Sequence, residues 1–217
     1  MNKPTVKDFY SGFDFEKMLS NPPSEIEEFL VGEIEFLRML ESRETILEIG
    51  CGYGRLLKIL SEKGKKVIGI DFSEKLLAQA KNNLADYSNI ELLTMNAENL
   101  NFDDDFADYT LCLDNTFGNM PGIEEKVLSE MKRVTKKGGK IIVSVFSDKA
   151  QNSQIKNYSR LGLKGITNTG NAITSDEGFY SRRFSREDLE ALFNKVGLPF
   201  QIESVCPCNY IVTSTRF

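Results

Sequence analysis

Residues 45–57 read TILEIGCGYGRLL: an apolar β-type run, three glycines in five positions, then a helical pattern. A strand that ends in a glycine-rich turn and feeds a helix N-terminus makes a ligand site at the carboxyl edge of a parallel sheet. The glycines let the backbone turn sharply and let a ligand come close. A dinucleotide fingerprint, G-x-G-x-x-G, needs its third glycine at position 55, which is occupied by Arg55. A Walker loop needs Lys-Ser or Lys-Thr after its last glycine, and neither follows here. The pattern present is E-x-G-x-G-x-G, carried by Glu48, Gly50, Gly52 and Gly54.

Outward from this loop, turn and cap signals divide the chain. Residues 21–42 begin NPPS and continue with apolar residues at helical spacing, which predicts an amphipathic helix capped by Ser24, with Glu27 three positions on. The segment GRLLKILSEKG (54–64) has helical periodicity and is expected to stop near Gly64. KVIGI (66–70) reads as a buried strand, after which Ser73 caps EKLLAQAKNNLADY. Runs at 90–95, 107–113 and 140–146 complete five strand-like segments, with a helix over 123–139 ending at its glycines. Ser185 caps a last helix, and 200–205 and 210–217 read as strands joined by CPCN, a link short enough only for antiparallel pairing. Strands separated by helices imply βαβ units and a parallel sheet covered on both faces.

Composition narrows the function. Of 217 residues, 41% are hydrophobic and 27% charged, the values of a globular protein that forms one domain. No apolar run approaches the ~20 residues a membrane span needs. The first residues lack the apolar centre of a secretory signal, and the four cysteines form no CxxC pair, so a reduced, cytoplasmic location is expected. The net charge of −5 and the pI of about 5.1 speak against nucleic acid as a partner. The chain contains no histidine, which excludes Ser-His-Asp and Cys-His hydrolases and removes the commonest metal ligand; no metal is expected.

An acidic residue, Asp71, ends the strand that follows the glycine loop, where a carboxylate can accept hydrogen bonds from both hydroxyls of a ribose. With the segment MNAENLNFDDDFADYTLCL (95–113) and the helix–GG–strand unit at 131–146, the chain resembles the S-adenosylmethionine-dependent methyltransferase family with the Rossmann-like sheet. The similarity covers roughly residues 25–146 and extends more weakly to the tail. It implies an α/β fold: a mostly parallel seven-stranded sheet flanked by helices, with an antiparallel C-terminal hairpin, in a single methyltransferase domain over 1–217. The cofactor implied is S-adenosyl-L-methionine. Glu48 would meet the methionine ammonium, and Gly50, Gly52 and Gly54 would form the cradle; the alternatives are a strand-end surface charge and a tight turn alone. Asp71 would hold the ribose, the alternative being that it only caps the helix near Ser73. Asn96 stands where the family has an acidic residue facing the adenine amine. Ala97 would offer its N–H to the ring, and Phe72 or Leu100 apolar contact. Cys51 would only fill space.

Methyl transfer from a sulfonium is an in-line displacement that depends mainly on holding the acceptor in position. The family places acceptor contacts at the end of the fourth strand, which here reads LDNTFGNMPG (113–122). Asp114 is the candidate proton acceptor and a cofactor contact, with Asn115 and Thr116 as orienting groups; the alternative is that Asp114 and Asn115 only shape the loop. Phe117 and Met120 are expected to pack. The [DN]-P-P-[YFW] motif of exocyclic-amine DNA methyltransferases is absent at this point. The aromatic N-terminal segment 1–23 is expected to close over the site with Tyr10, and residues 147–184 form an insertion in which Tyr180, Arg182 and Arg183 could bind an anionic substrate group, the alternative being a solvated basic edge. The reading is a methyltransferase acting on N, O or S of a small-molecule acceptor, as a monomer or homodimer. A macromolecular methyltransferase and a catalytically silent cofactor-binding regulator are the alternatives.

Overall fold

The computed structural model describes residues 4–12 and 20–217. Helices α1 (Val6–Gly12) and α2 (Ser24–Arg38) precede strand β1 (Arg43–Ile49). Then follow α3 (Leu57–Ser61), β2 (Gly64–Asp71), α4 (Glu74–Asn83), β3 (Ile90–Thr94), β4 (Ala107–Cys112), α5 (Glu124–Val134) and β5 (Thr135–Ser147). The chain continues through α6 (Gln151–Arg160), β6 (Thr167–Asn168), β7 (Ala172–Thr174) and β8 (Tyr180–Phe184), and ends with α7 (Arg186–Val196), β9 (Gln201–Glu203) and β10 (Asn209–Thr215).

Strands β3-β2-β1-β4-β5 run parallel, with Ile46 of β1 opposite Val67 on one side and Tyr109 on the other. β10 adds antiparallel to β5 over seven residue pairs, and β9 pairs antiparallel with β10. These seven strands form the expected Rossmann-like sheet with its C-terminal hairpin, but the sheet is larger than the seven expected, because β8, β7 and β6 bring it to ten strands. The strand order reverses between β1 and β4, and in open α/β sheets ligands bind at the carboxyl ends of strands at such a point.

Side chains alternate along each strand between two apolar cores, as the period of two requires. Leu47, Ile49, Ile141, Val143 and Val145 face one core with Val127, Leu128 and Met131 of α5 and Leu189 and Phe193 of α7. Ile46, Val67, Tyr109, Leu111 and Ile142 face the other with Leu37 of α2, Leu57 and Leu60 of α3, and Leu77 and Ala80 of α4. Both faces are therefore dry, which is why the strands read as continuous apolar runs.

Three local expectations are corrected. Ser24 does not cap α2: Pro23 holds the cap position without a side-chain bond, and the Ser24 hydroxyl donates to Glu25 at 3.2 Å. The helix after the glycines is only five residues long, because 51–56 are taken up by turns; Gly64 opens β2 opposite Arg43. The helix before the Gly-Gly pair stops at Val134, four residues early. Thr135 is already extended and its hydroxyl bonds the Met131 carbonyl at 2.6 Å, so Gly138 and Gly139 lie inside β5. By contrast Ser73 and Ser185 cap α4 and α7 as expected.

The insertion at 147–184 is ordered structure. β8 adds parallel to the end of β5 through Phe146–Arg183 and Ser147–Phe184, and β7 and β6 continue antiparallel beyond it. Tyr158, Leu161, Ile173 and Phe179 of this unit share a small core with Phe9 and Tyr10 of α1. The N-terminal helix is thus docked on the insertion, while residues 13–19 of the N-terminal segment lie outside the described residues.

Helix α7 carries a reciprocal cap: Ser185 Oγ accepts the Asp188 N–H at 3.0 Å, and Asp188 Oδ2 accepts the Ser185 N–H at 3.1 Å. Because α7 seats Leu189 and Phe193 in the main core, Ser185→Ala is expected to cost about 1 kcal/mol of unfolding free energy. Urea melts of the two proteins measure it.

Candidate active site

The chain leaves β1 through three glycines in the left-handed region, at φ 69° for Gly50, 54° for Gly52 and 85° for Gly54. A Cβ on Gly50 would lie 2.2 Å from Thr116 Cγ2, and one on Gly54 2.6 Å from Leu84 Cδ1. Gly52 faces open space, with nothing within 4 Å of a built Cβ. The loop is clamped from β2: Asp71 Oδ2 accepts the Gly52 N–H at 3.0 Å, while Oδ1 accepts the Ser73 N–H at 2.9 Å. Burial pushes the Asp71 carboxyl above its ordinary range, against the pull of these N–H groups. The Asp71 side chain supports the turn before α4 and also stands on the rim of the cleft.

Beneath the loop lies a buried ionic network. Glu33, fully buried on α2, accepts from Arg55 Nη2 on Oε2 at 3.0 Å and from the Asp114 N–H on Oε1 at 2.8 Å; Ser144 Oγ also donates to Oε1. The same Arg55 nitrogen reaches Asp114 Oδ2 at 2.8 Å. Burial raises the Glu33 pKa, and the Arg55 guanidinium opposes that rise. Asp114 and Asn115 both adopt left-handed backbone, at φ 51° and 56°, a conformation Asp and Asn tolerate better than most residues. Glu48, 4% exposed at the end of β1, has no partner for Oε2 among the described residues. Its pKa is pushed up to about 8, first by burial and then by the Glu33 carboxylate, with Arg55 pulling the other way.

One cleft gathers Tyr10, Glu48, Gly50, Gly52, Asp71, Phe72, Asp114 and Thr116 from the residues singled out in the sequence, together with Cys51 and Met120. α1 lies over its Phe72 side: Lys7 sits 5.7 Å from the Phe72 ring centre and Lys75 donates to the Gly12 carbonyl at 3.2 Å. Tyr10 donates to the Tyr180 carbonyl at 3.0 Å, and burial holds its phenol pKa well above the ordinary value, so it forms a wall and keeps its proton.

Other candidates fall elsewhere. Gly54 shapes the turn behind the cleft. Asn96 and Ala97 are not among the lining residues: the Asn96 side chain accepts the Glu98 N–H at 3.0 Å, and Ala97 packs on the main core. Asn115 is a buried clamp, its Oδ1 accepting the Phe146 N–H at 2.9 Å and its Nδ2 donating to Ser181 at 3.0 Å. In place of a substrate carboxylate, Arg182 pairs with Glu124 at 3.1 Å and Asp188 at 3.4 Å. Arg183, 2% exposed, is engaged by Gln154 and Asn168, each at 2.8 Å. Tyr180 meets Tyr10 through its carbonyl, and Leu100 and Phe117 belong to the core.

Sequence reasoning missed Glu33, Arg55 and Ser144. A signal existed for Glu33: it shares a helical stripe with Ile26, Phe29 and Leu37, and a carboxylate in an apolar stripe requires a buried partner. Arg55 was read only as a missing glycine.

Residues 46–139 match the family model described as a methyltransferase domain. Over 176 residues the chain is 28% identical to the ubiquinone/menaquinone biosynthesis C-methyltransferase UbiE of Hahella chejuensis, which covers 76% of this chain and 68% of that protein. A demethylmenaquinone methyltransferase of Clavibacter sepedonicus is 35% identical over 105 residues, 48% of this chain but only 42% of that relative's length. Among solved structures, the PH0226 protein of Pyrococcus horikoshii superposes with a TM-score of 0.74 at 20% identity, covering 95% of this chain and 100% of that one. A SAM-dependent methyltransferase from Aquifex aeolicus gives 0.66 at 21% identity over 94% and 100%.

The raised Glu48 pKa has a sign that stability measurements can read. The folded chain keeps this proton up to about 8 and the unfolded chain loses it near 4.5, so the contribution is full below 4.5 and is lost as pH rises through 8. Glu48→Gln is therefore expected to gain stability over the parent progressively across that interval. A difference independent of pH would show that the carboxyl titrates normally.

Proposed function

We propose, from a chain whose residues 46–139 match the methyltransferase-domain model, that this cleft binds S-adenosyl-L-methionine and that the protein methylates a small molecule. The observation that carries the reading is the unpartnered Oε2 of buried Glu48, an acceptor facing a cleft edged by left-handed glycines and by Asp71. A buried carboxylate without a partner is costly, and a ligand ammonium satisfies it. The donor would supply a sulfonium methyl whose transfer leaves a neutral thioether. Glu48 would hold the ammonium and Asp71 the ribose hydroxyls, using the lone pairs not taken by Gly52 and Ser73. The open face of Gly52 leaves room for the ligand where a side chain would stand.

The remaining residues position and enclose. Arg55 and Glu33 fix the loop bearing Asp114, whose carboxylate lines the cleft beside Thr116. Tyr10 of α1 and Phe72 form part of the cleft wall. No imidazole is available, so Asp114 is the group to orient an acceptor or take its proton. Enclosure by α1 and the docked insertion favours a small acceptor over a polymer. The two curated relatives are named for quinone methylation, one of them for transfer to carbon, so carbon joins N, O and S as an acceptor class.

Calorimetry with S-adenosylhomocysteine is expected to show binding, and nicotinamide nucleotides none. Asp71→Ala should weaken that binding by at least about tenfold, the scale of losing charge-assisted hydrogen bonds. Unchanged affinity would refute the ribose assignment. A screen of amines, thiols, phenols and quinols for donor turnover tests the acceptor class, and a response to RNA alone would overturn it.

A further inference from the structure

The turn between β9 and β10 carries Cys206 and Cys208 on either side of Pro207. Asn209 Oδ1 folds it back by accepting the N–H groups of Val205 at 3.0 Å and Cys206 at 3.2 Å. Cys208 Sγ then lies 2.9 Å from Cys206 Sγ and 2.9 Å from the Glu25 carbonyl oxygen at the start of α2. Both cysteines are free. They sit among Ile26, Phe29, Phe146 and Ala150, but directly under a surface formed by exposed Val205 and Pro207.

Thiols that merely fill space stand at van der Waals separation, whereas this pair is close enough to share a proton. Fully buried Asn209 also sets its Oδ1 3.8 Å from Cys206 Sγ, so the turn that folds the pair back reaches the sulfur itself. The Cys208 thiol, and behind it the backbone N–H groups of Cys208 and Asn209, hold Cys206 below the usual thiol range at about 7; burial and Glu28 oppose them. Cys208 is pushed up, with its proton held toward Cys206. Burial raises both Cys51 and Cys112. One poised thiolate beside one protonated thiol is the arrangement that dithiol oxidation requires.

We infer that Cys206 and Cys208 form a peroxide-reactive dithiol that closes to an intramolecular disulfide. Cys206 thiolate attacks one oxygen of hydrogen peroxide: an S–O bond forms, the O–O bond breaks, and hydroxide leaves to become water with the proton Cys206 had released. Cys208 sulfur then attacks the sulfenic sulfur: the S–S bond forms, the S–O bond breaks, and the departing hydroxyl takes the Cys208 proton as a second water. Two thiols are oxidised and one peroxide is reduced. A small oxidant suits the site, since Cys206 is only 7% exposed.

The test treats the full chain with a few equivalents of hydrogen peroxide, then quenches, denatures and counts thiols. The four thiols of the chain should fall to two, with the tryptic peptide 196–216 lighter by two hydrogens and restored by dithiothreitol. In Cys208→Ser, dimedone should trap a sulfenic acid on Cys206; in Cys206→Ser, Cys208 should resist peroxide. Retention of all four thiols would overturn the inference. So would loss at Cys51 or Cys112 at the same rate, or a disulfide between chains.

Discussion

A carboxylate cannot be taken fully out of water without partners, and Glu33 is taken out completely. Its two oxygens are met by Arg55 from the loop after β1, by the Asp114 N–H at the end of β4, and by Ser144 of β5. One side chain of α2 thereby ties together three places that the sheet alone would leave free at its carboxyl edge. The left-handed backbone at Asp114 and Asn115 is held by the same bonds: Glu33 and Ser144 grip the Asp114 N–H, and Asn115 is pinned on Phe146 and Ser181. The strained loop that lines the cleft is a consequence of burying that charge with partners.

The second organising feature is the unit between β5 and α7. β8 lengthens the sheet beyond β5, and Ser181 on it is the meeting point of Asn115, Gln154 and Tyr158. The orientation of this network follows from its ends. Asn115 Oδ1 is claimed by the Phe146 N–H and Gln154 Oε1 by Arg183, so both amides turn their NH2 groups to the serine. With its lone pairs filled, Ser181 must give its own proton to Tyr158. The insertion is therefore locked to the loop at the end of β4 on one side and to α1 on the other.

How much of this is legible in the sequence follows from the range of each interaction. The strands and their covering helices follow from local periodicity, and the Ser73 and Ser185 caps from chemistry within four residues. Ser24 misled because Pro23 already fixes the turn before the helix. Gly50, Gly52, Asp71, Glu48 and Asp114 converge on one cleft because β1, β2 and β4 end at the same edge, a matter of topology that the alternating pattern gives away. Arg182 and Arg183 are another matter. Their partners, Glu124, Asp188, Gln154 and Asn168, are set by how β8 docks, and nothing in the local sequence separates a structural arginine from a substrate-binding one.

The electrostatics of the cleft argue for the charge of its ligand. Glu33, Glu48 and Asp114 surround a single guanidinium, and Arg55 is divided between Glu33 and Asp114. Glu48 is left to meet its burial by holding a proton up to about 8. A cation set against its free oxygen removes the cause of that rise, because the ionised form then has its partner. At neutral pH, binding a cation and releasing a proton become one event, and the cleft selects its ligand by charge. An anionic ligand of the same shape would meet the Asp71 and Asp114 carboxylates and gain no such exchange.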